Sequence, residues 1–239
     1  MRLTVLLVAA WELLGRLLLD AHDANFVPMP SGVAVELFAV AGSGELWAAL
    51  WRSALRVAVG GSVGAALGVL AGALGASGRA GAVLRAPLAL LRPIPPIAWI
   101  PLTLLWFGVS ELQQVVILAG ATFHVVALGV GDAARRVPEG LVAAARNLGA
   151  GVGLTTEVRV RAALPGVLTA VREGFAVAWF VLVAAEFVSA AQGVGVLVLE
   201  GRDLLLPART FVGMGALAAA GALTDWAVRG ASGWLVRWT

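Results

Sequence analysis

VPEGLVAAARNLGAGVGLTTEVRVRAALP, Val137 to Pro165, is the one long polar interruption in an otherwise apolar chain. Pro138 suits the first turn of a helix, where its missing N–H is not needed, and Glu139 sits against the positive end of the helix dipole. Leu141, Ala144, Ala145 and Leu148 recur at i, i+3, i+4, i+7 and form one narrow apolar face, with Arg146 and Asn147 off it. Asn147 and the glycines at 149, 151 and 153 break the pattern. A second short helix is expected to start with Thr155 or Thr156 as N-cap and to run to Pro165. Two short helices meeting at a glycine elbow bury no core of their own, so the loop is expected to dock onto something.

The rest of the chain explains why such a loop is conspicuous. Its 239 residues are 60% hydrophobic and 13% charged, and the mean hydropathy of +0.94 excludes an ordinary water-soluble domain. Without cysteine there is no disulfide framework and no thiolate metal site, and two distant histidines make no metal constellation, so no metal is expected. All 17 basic residues are arginine. The absence of lysine excludes a P-loop, so no cofactor is assigned to this chain and it is not expected to hydrolyse ATP in that way. With a net charge of only +3 and dispersed arginines, nucleic acid is not an expected partner.

Six apolar runs follow one another. Leu3–Leu19 is the first, about 26 Å as a helix, with Glu12 and Arg16 placed to pair at i, i+4. A cleaved signal peptide is the rival reading, but His22-Asp23-Ala24 is a poor cleavage site and the helix is expected to be retained. Ser31 is a candidate cap for a short amphipathic surface helix, Gly32–Ala41. Leu46–Leu74, the second run, carries Gly60, Gly64, Gly68 and Gly72 every four residues, a stripe that lets another helix approach closely. Gly75–Arg85 reads as a polar link. Ala86–Gly108, the third run, holds prolines at 87, 93, 95, 96 and 101; the carbonyls they free are tolerated in a membrane only inside protein or along a watery cavity. Trp99 and Thr103 are therefore pathway candidates. Leu112–Gly131, the fourth, places Thr122 and His124 at mid-membrane depth, and Pro165–Val188, the fifth, carries Arg172, Glu173 and Glu186. Residues 187–207 read as polar and glycine-broken, and Thr210–Val228 is the sixth run.

Ala144-Ala145, Gly149 and Leu164-Pro165 resemble the "EAA" coupling loop of the membrane subunits of bacterial ABC importers. The stretches RPIPPIAWIPL (92–102), LWFG (105–108) and VAAE (183–186) resemble the taurine, aliphatic-sulfonate and nitrate branch. The likeness spans Glu45 to Trp238. Ala143 stands where the motif has its glutamate, and Arg161-Ala162 where it has a first Leu-Pro pair. The resemblance implies an all-α membrane protein of the type I importer permease fold: an N-terminal part, 1–45, and a permease core, 46–239, with six transmembrane helices and the coupling loop at 137–165. It implies a homodimer in membrane lipid, two copies of an ATP-binding cassette subunit docked at Leu141, Ala144, Ala145, Arg146, Leu148, Gly149, Leu164 and Pro165, and a periplasmic or lipid-anchored substrate-binding protein. ATP belongs to the partner subunit. The implied cargo is a small sulfonate, taurine or nitrate, moving past Trp99, Thr103, Thr122, His124 and Glu186; a vitamin precursor of the thiamine-pyrimidine or riboflavin type is the alternative.

Arginine placement gives an orientation separately. Six spans with a cytoplasmic coupling loop put both termini on the cytoplasmic side of the cell inner membrane, the side carrying ten of the seventeen arginines. Two rivals remain. Gly60-Gly-Ser62-Val-Gly64 matches the pattern of a serine nucleophile and His124 is a possible base, but that motif needs a strand-to-helix turn and Ser62 falls in a helical run. A secondary transporter would show matching broken helices in two halves, and only the third run is broken. The chain is expected to be a permease and not an enzyme.

Overall fold

The computed structural model describes residues 2–18, 26–76 and 78–235, and every regular element among them is helical. The helices are α1 (Arg2–Leu18), α2 (Pro30–Gly42), α3 (Glu45–Gly75), α4 (Gly78–Leu91), α5 (Ile100–Phe107), α6 (Glu111–Arg135), α7 (Glu139–Asn147), α8 (Val152–Ser189), α9 (Val194–Asp203) and α10 (Pro207–Leu235), with a 3-10 turn at Pro96–Trp99. Four of these, α3, α6, α8 and α10, are long and apolar enough to cross a membrane. A fifth span is available if Arg85–Leu91 and Pro96–Phe107, bent by 93°, count as one. At 17 residues α1 is about 26 Å long, short of a typical hydrocarbon core of about 30 Å.

Two compact units divide the chain, one of residues 1–55 and 186–220, the other of residues 56–185 and 221–239. In the first, Val40, Leu46, Ala49, Val194, Leu197 and Val212 form the core. The expected Glu12–Arg16 pair is present at 2.6 Å. Ser31 is not a cap: α2 begins two residues earlier than expected, with Pro30 at its first position, and the Ser31 hydroxyl donates to Glu12 instead, at 2.8 Å. Nor is α2 two-faced, since its only polar side chains are Ser31 and Glu36. The segment read as a polar break after the fifth run contains α9. His22-Asp23-Ala24 lies outside the described residues.

The second unit is held by α3, α6 and α8. A Cβ added at Gly60, Gly64, Gly68 or Gly72 would come within 2.3–2.8 Å of α6 atoms, so the stripe is where the two backbones meet. Gly129, Gly166 and Gly174 serve the α6–α8 contact in the same way, around a core of Ala65, Val126, Val130 and Ala170. Arg56, 3% exposed, is gripped by both carboxylate oxygens of Glu111 at 2.6 and 2.7 Å, a fork that brings its charge indoors without leaving it alone. Arg172 of α8 donates to Asp225 of α10 at 2.9 Å.

Three boundaries differ from the sequence reading. The expected link at 75–85 is mostly helix, α4. The third run does not merely kink: Pro93, Pro95 and Pro96 withhold three N–H groups within four residues, and the helix stops and restarts. Beyond the elbow there is no separate short helix. α8 starts at Val152 and runs through Pro165, where only one ladder bond is lost, and Thr155 and Thr156 turn their hydroxyls back to Val152 O at 2.9 and 2.8 Å instead of capping.

Candidate functional site

The elbow after α7 is a Schellman closure. Gly149 N–H donates to Arg146 O at 2.9 Å and Ala150 N–H to Ala145 O at 3.0 Å, with Gly149 at φ +89°. Open space surrounds the Gly149 Cα, so glycine is required by the backbone angle and not by crowding. Of the α7 side chains only Val142 is buried. Leu141 and Leu148 point outward, 47% and 89% exposed, followed by Val152 at 85%. The face expected from spacing is thus an outer face, and Val142, which the spacing did not single out, is the anchor. Ala144, Arg146 and Pro165 are also exposed, whereas Ala145 and Leu164 are half-buried. Glu139 reaches across to Arg159 of α8 at 3.1 Å and ties the two arms of the elbow together. Both partners are well exposed, so the pair sets geometry more than stability.

Where the proline run breaks the third span, a cavity of about 260 Å³ opens, lined by Trp99, Thr103 and His124 together with Trp106, Ile117 and Phe123. Thr103 is already engaged: its hydroxyl donates to Ile100 O and accepts from Gln113 Nε2, both at 2.9 Å. His124 is different. Its Nε2 is shielded from water without a hydrogen-bond partner, an arrangement that costs about 1–3 kcal/mol. Thr122 does not join this wall; it is fully buried against α8, its hydroxyl 3.4 Å from Gly174 O. A second cavity of about 590 Å³ adjoins through Ile94, Pro96 and His124, and adds the charged residues Arg85, Arg92, Asp132, Arg135 and Glu173. Asp132 and Arg135 are an i, i+3 pair on α6, but no spacing rule brings them to Arg85, Arg92 and Glu173.

Glu186 belongs to the other unit and has its own task. Its carboxylate, 1% exposed, accepts from Ser53 Oγ and from the N–H of Gly195, each at 2.6 Å. It therefore closes the first turn of α9. Nearby, Arg209 meets Glu36, Glu45 and Glu200, a cluster invisible in the sequence because its members are scattered. Ser62 lies in the unbroken α3 helix, exposed, while its flanking Gly60 and Gly64 are occupied by contact with α6. There is no strand-to-helix turn to present it as a nucleophile.

Long apolar helices, a small elbow between two of them and a proline-broken apolar segment are the build of a multi-pass membrane protein. Residues 64–233 match the model of the binding-protein-dependent transport system inner membrane component, and the chain belongs to that family. It is 32% identical over 205 residues to the Escherichia coli K12 protein named putative aliphatic sulfonates transport permease protein SsuC, covering 85% of this chain and 77% of that one. It is 30% identical over 243 residues to the taurine transport system permease protein TauC of the same organism, covering 99% and 87%. A riboflavin transport system permease protein, RibX of Chloroflexus aurantiacus, is 33% identical over 216 residues, covering 90% and 80%.

Proposed function

We propose that this chain is the pore-forming permease of an ATP-driven importer, carrying a small sulfonate, taurine or nitrate across the cell inner membrane with six spans and both termini cytoplasmic. The observation that carries the reading is the α7 elbow. It exposes Leu141 and Leu148 between two membrane-length helices, anchors itself by Val142 and is braced to α8 by Glu139–Arg159. Such a surface suits an ATP-binding subunit as partner, two copies of which would serve a permease homodimer, with a substrate-binding protein on the outer face.

Mechanistically, closure of the ATP-binding subunits pushes α7. The push passes into α8 across the Glu139–Arg159 brace, and α8 is one helix of 38 residues, about 57 Å long, that continues through Pro165. Rocking of the helices then alternates access between the two faces. The names of SsuC and TauC favour a sulfonate cargo, and that of RibX keeps riboflavin as the second reading.

The test is uptake by proteoliposomes holding the permease, its ATP-binding subunit and its binding protein. ATP-dependent accumulation of a labelled sulfonate is expected. Gly149→Val should abolish substrate-stimulated ATP hydrolysis while the permease remains in the membrane, because the left-handed conformation costs a β-branched residue about 1–2 kcal/mol and misdirects the elbow. Full coupling in that variant, or accumulation of riboflavin in place of sulfonate, overturns the reading.

A further inference from the structure

The two cavities at the broken span differ in chemistry in a way that selects among cargoes. The inner one is walled by Trp99, Trp106, Ile117 and Phe123, and its 260 Å³ holds on the order of eight groups of roughly 30 Å³, the size of a water or a methylene. The adjoining one carries excess positive charge, three arginines against two carboxylates. Asp132 is paired with Arg135, which leaves Arg85 and Arg92 facing Glu173 alone. Among the described residues Arg92 has no ion pair, and it stands on the same wall as His124 with its buried, unpartnered Nε2. An apolar pocket that adjoins a guanidinium with no ion pair among the described residues is complementary to a molecule with an alkyl tail and one anionic head.

We propose that these cavities form a binding station for an amphipathic monoanion, the alkyl chain entering between Trp99 and Phe123 and the sulfonate head resting at Arg92. This deepens the importer reading and rests on it. The station favours an alkanesulfonate over the other small anions. Taurine would carry its ammonium group into the apolar cavity, where a charge without a partner is expensive. Nitrate has no tail and leaves the cavity unfilled. Each methylene that enters strengthens binding by about fourfold.

The experiment is equilibrium binding to the purified permease in nanodiscs of phosphatidylcholine, with hexanesulfonate, taurine and hexan-1-ol as probes. Hexanesulfonate is expected to bind at least tenfold more tightly than either of the others. Arg92→Gln should weaken it tenfold or more, Arg92→Lys less than threefold, and Trp99→Ala should move the optimum to a longer chain. Arg92 is exposed, so loss of folding does not confound the comparison. Equal affinity for taurine and hexanesulfonate, or an unchanged affinity in Arg92→Gln, overturns the proposal. So does loss of hexanesulfonate binding when phosphatidylglycerol is added, which identifies the occupant as membrane lipid. A permease that imports sulfonates with no chain-length preference keeps the importer reading and loses this one. If hexanesulfonate binds as described but no partner drives uptake, the station stands and the importer reading falls.

Discussion

Ser53 donates its hydroxyl to Glu186 Oε1 across 2.6 Å, and both side chains are withdrawn from solvent. The same Ser53 oxygen accepts the N–H of Val194 at 2.9 Å, while Glu186 Oε2 accepts that of Gly195. Two orphan donors at the start of α9 are thereby satisfied by one carboxylate and one hydroxyl. Gly193 completes the arrangement: a Cβ there would lie 2.3 Å from Glu186 Oε1.

Removing that carboxylate should therefore loosen α9 rather than the whole chain. Glu186→Ala leaves the Gly195 N–H and the Ser53 hydroxyl without this acceptor, a loss of about 2–6 kcal/mol at about 1–3 kcal/mol for each buried group. Glu186→Gln should recover about half. Hydrogen exchange across residues 190–203 checks this, with faster exchange expected in that segment. Protection equal to the parent's would show that the latch holds nothing.

Gly64 and Gly120 offer a paired comparison. A Cβ at Gly64 would sit 2.3 Å from Ala119 O, a backbone atom that cannot give way, whereas nothing lies within 4 Å of one at Gly120. Gly64→Ala is expected to cost at least about 1–3 kcal/mol by forcing the helices apart. Gly120→Ala should be neutral or slightly stabilising, because alanine favours the helix. Thermal unfolding of the detergent-solubilised protein reads both, and equal melting temperatures would contradict the close approach.

The glycine stripe shows what the sequence could carry. A four-residue period is a property of one helix, and Gly60 to Gly72 advertise it without knowledge of the partner. The α7 elbow is legible for the same local reason, since Gly149 ends a helical pattern. What escapes is non-local or falls in conflict. Glu36, Glu45, Glu200 and Arg209 converge from four elements, and no linear spacing encodes that. Arg56 and Glu111 are 55 positions apart. Pro165 reads as a stop because proline usually is one, yet the helix continues from Gly166 to Ser189, and the ladder of that long stretch outweighs one missing bond. α9 is hidden because glycines at 193, 195 and 201 mask an apolar pattern whose first turn is capped from outside.

Orientation can be read by chemistry. Ser43, Gln192 and Arg136 are all exposed, and the native chain has no cysteine to cloud the result. Cysteines introduced at 43 and 192 should react with an impermeant thiol reagent added outside intact cells. One at 136 should react only after the membrane is opened. Labelling at 136 from outside would reverse the topology drawn from the arginines.

The sequence groups Thr122 and His124 as polar residues at one depth, but they stand in different surroundings and should fail in different ways. Thr122 is enclosed between α6 and α8, and its single weak contact is 3.4 Å from Gly174 O. Thr122→Val keeps the volume and gives up that contact, so it should shift stability by no more than about 1.5 kcal/mol and leave uptake per assembled complex unchanged. His124 lines both cavities of the broken span and keeps Nε2 buried without a partner. An unmet buried nitrogen is a standing cost to the folded state, so His124→Leu should be neutral or stabilising by up to about 2 kcal/mol. A residue retained against its own stability is worth keeping only where something arrives to meet it. Uptake is therefore expected to fall several-fold in His124→Leu while basal ATP hydrolysis and assembly persist. The opposite pattern, normal uptake with a less stable protein, would make His124 a packing residue and move the pathway away from the proline-broken span.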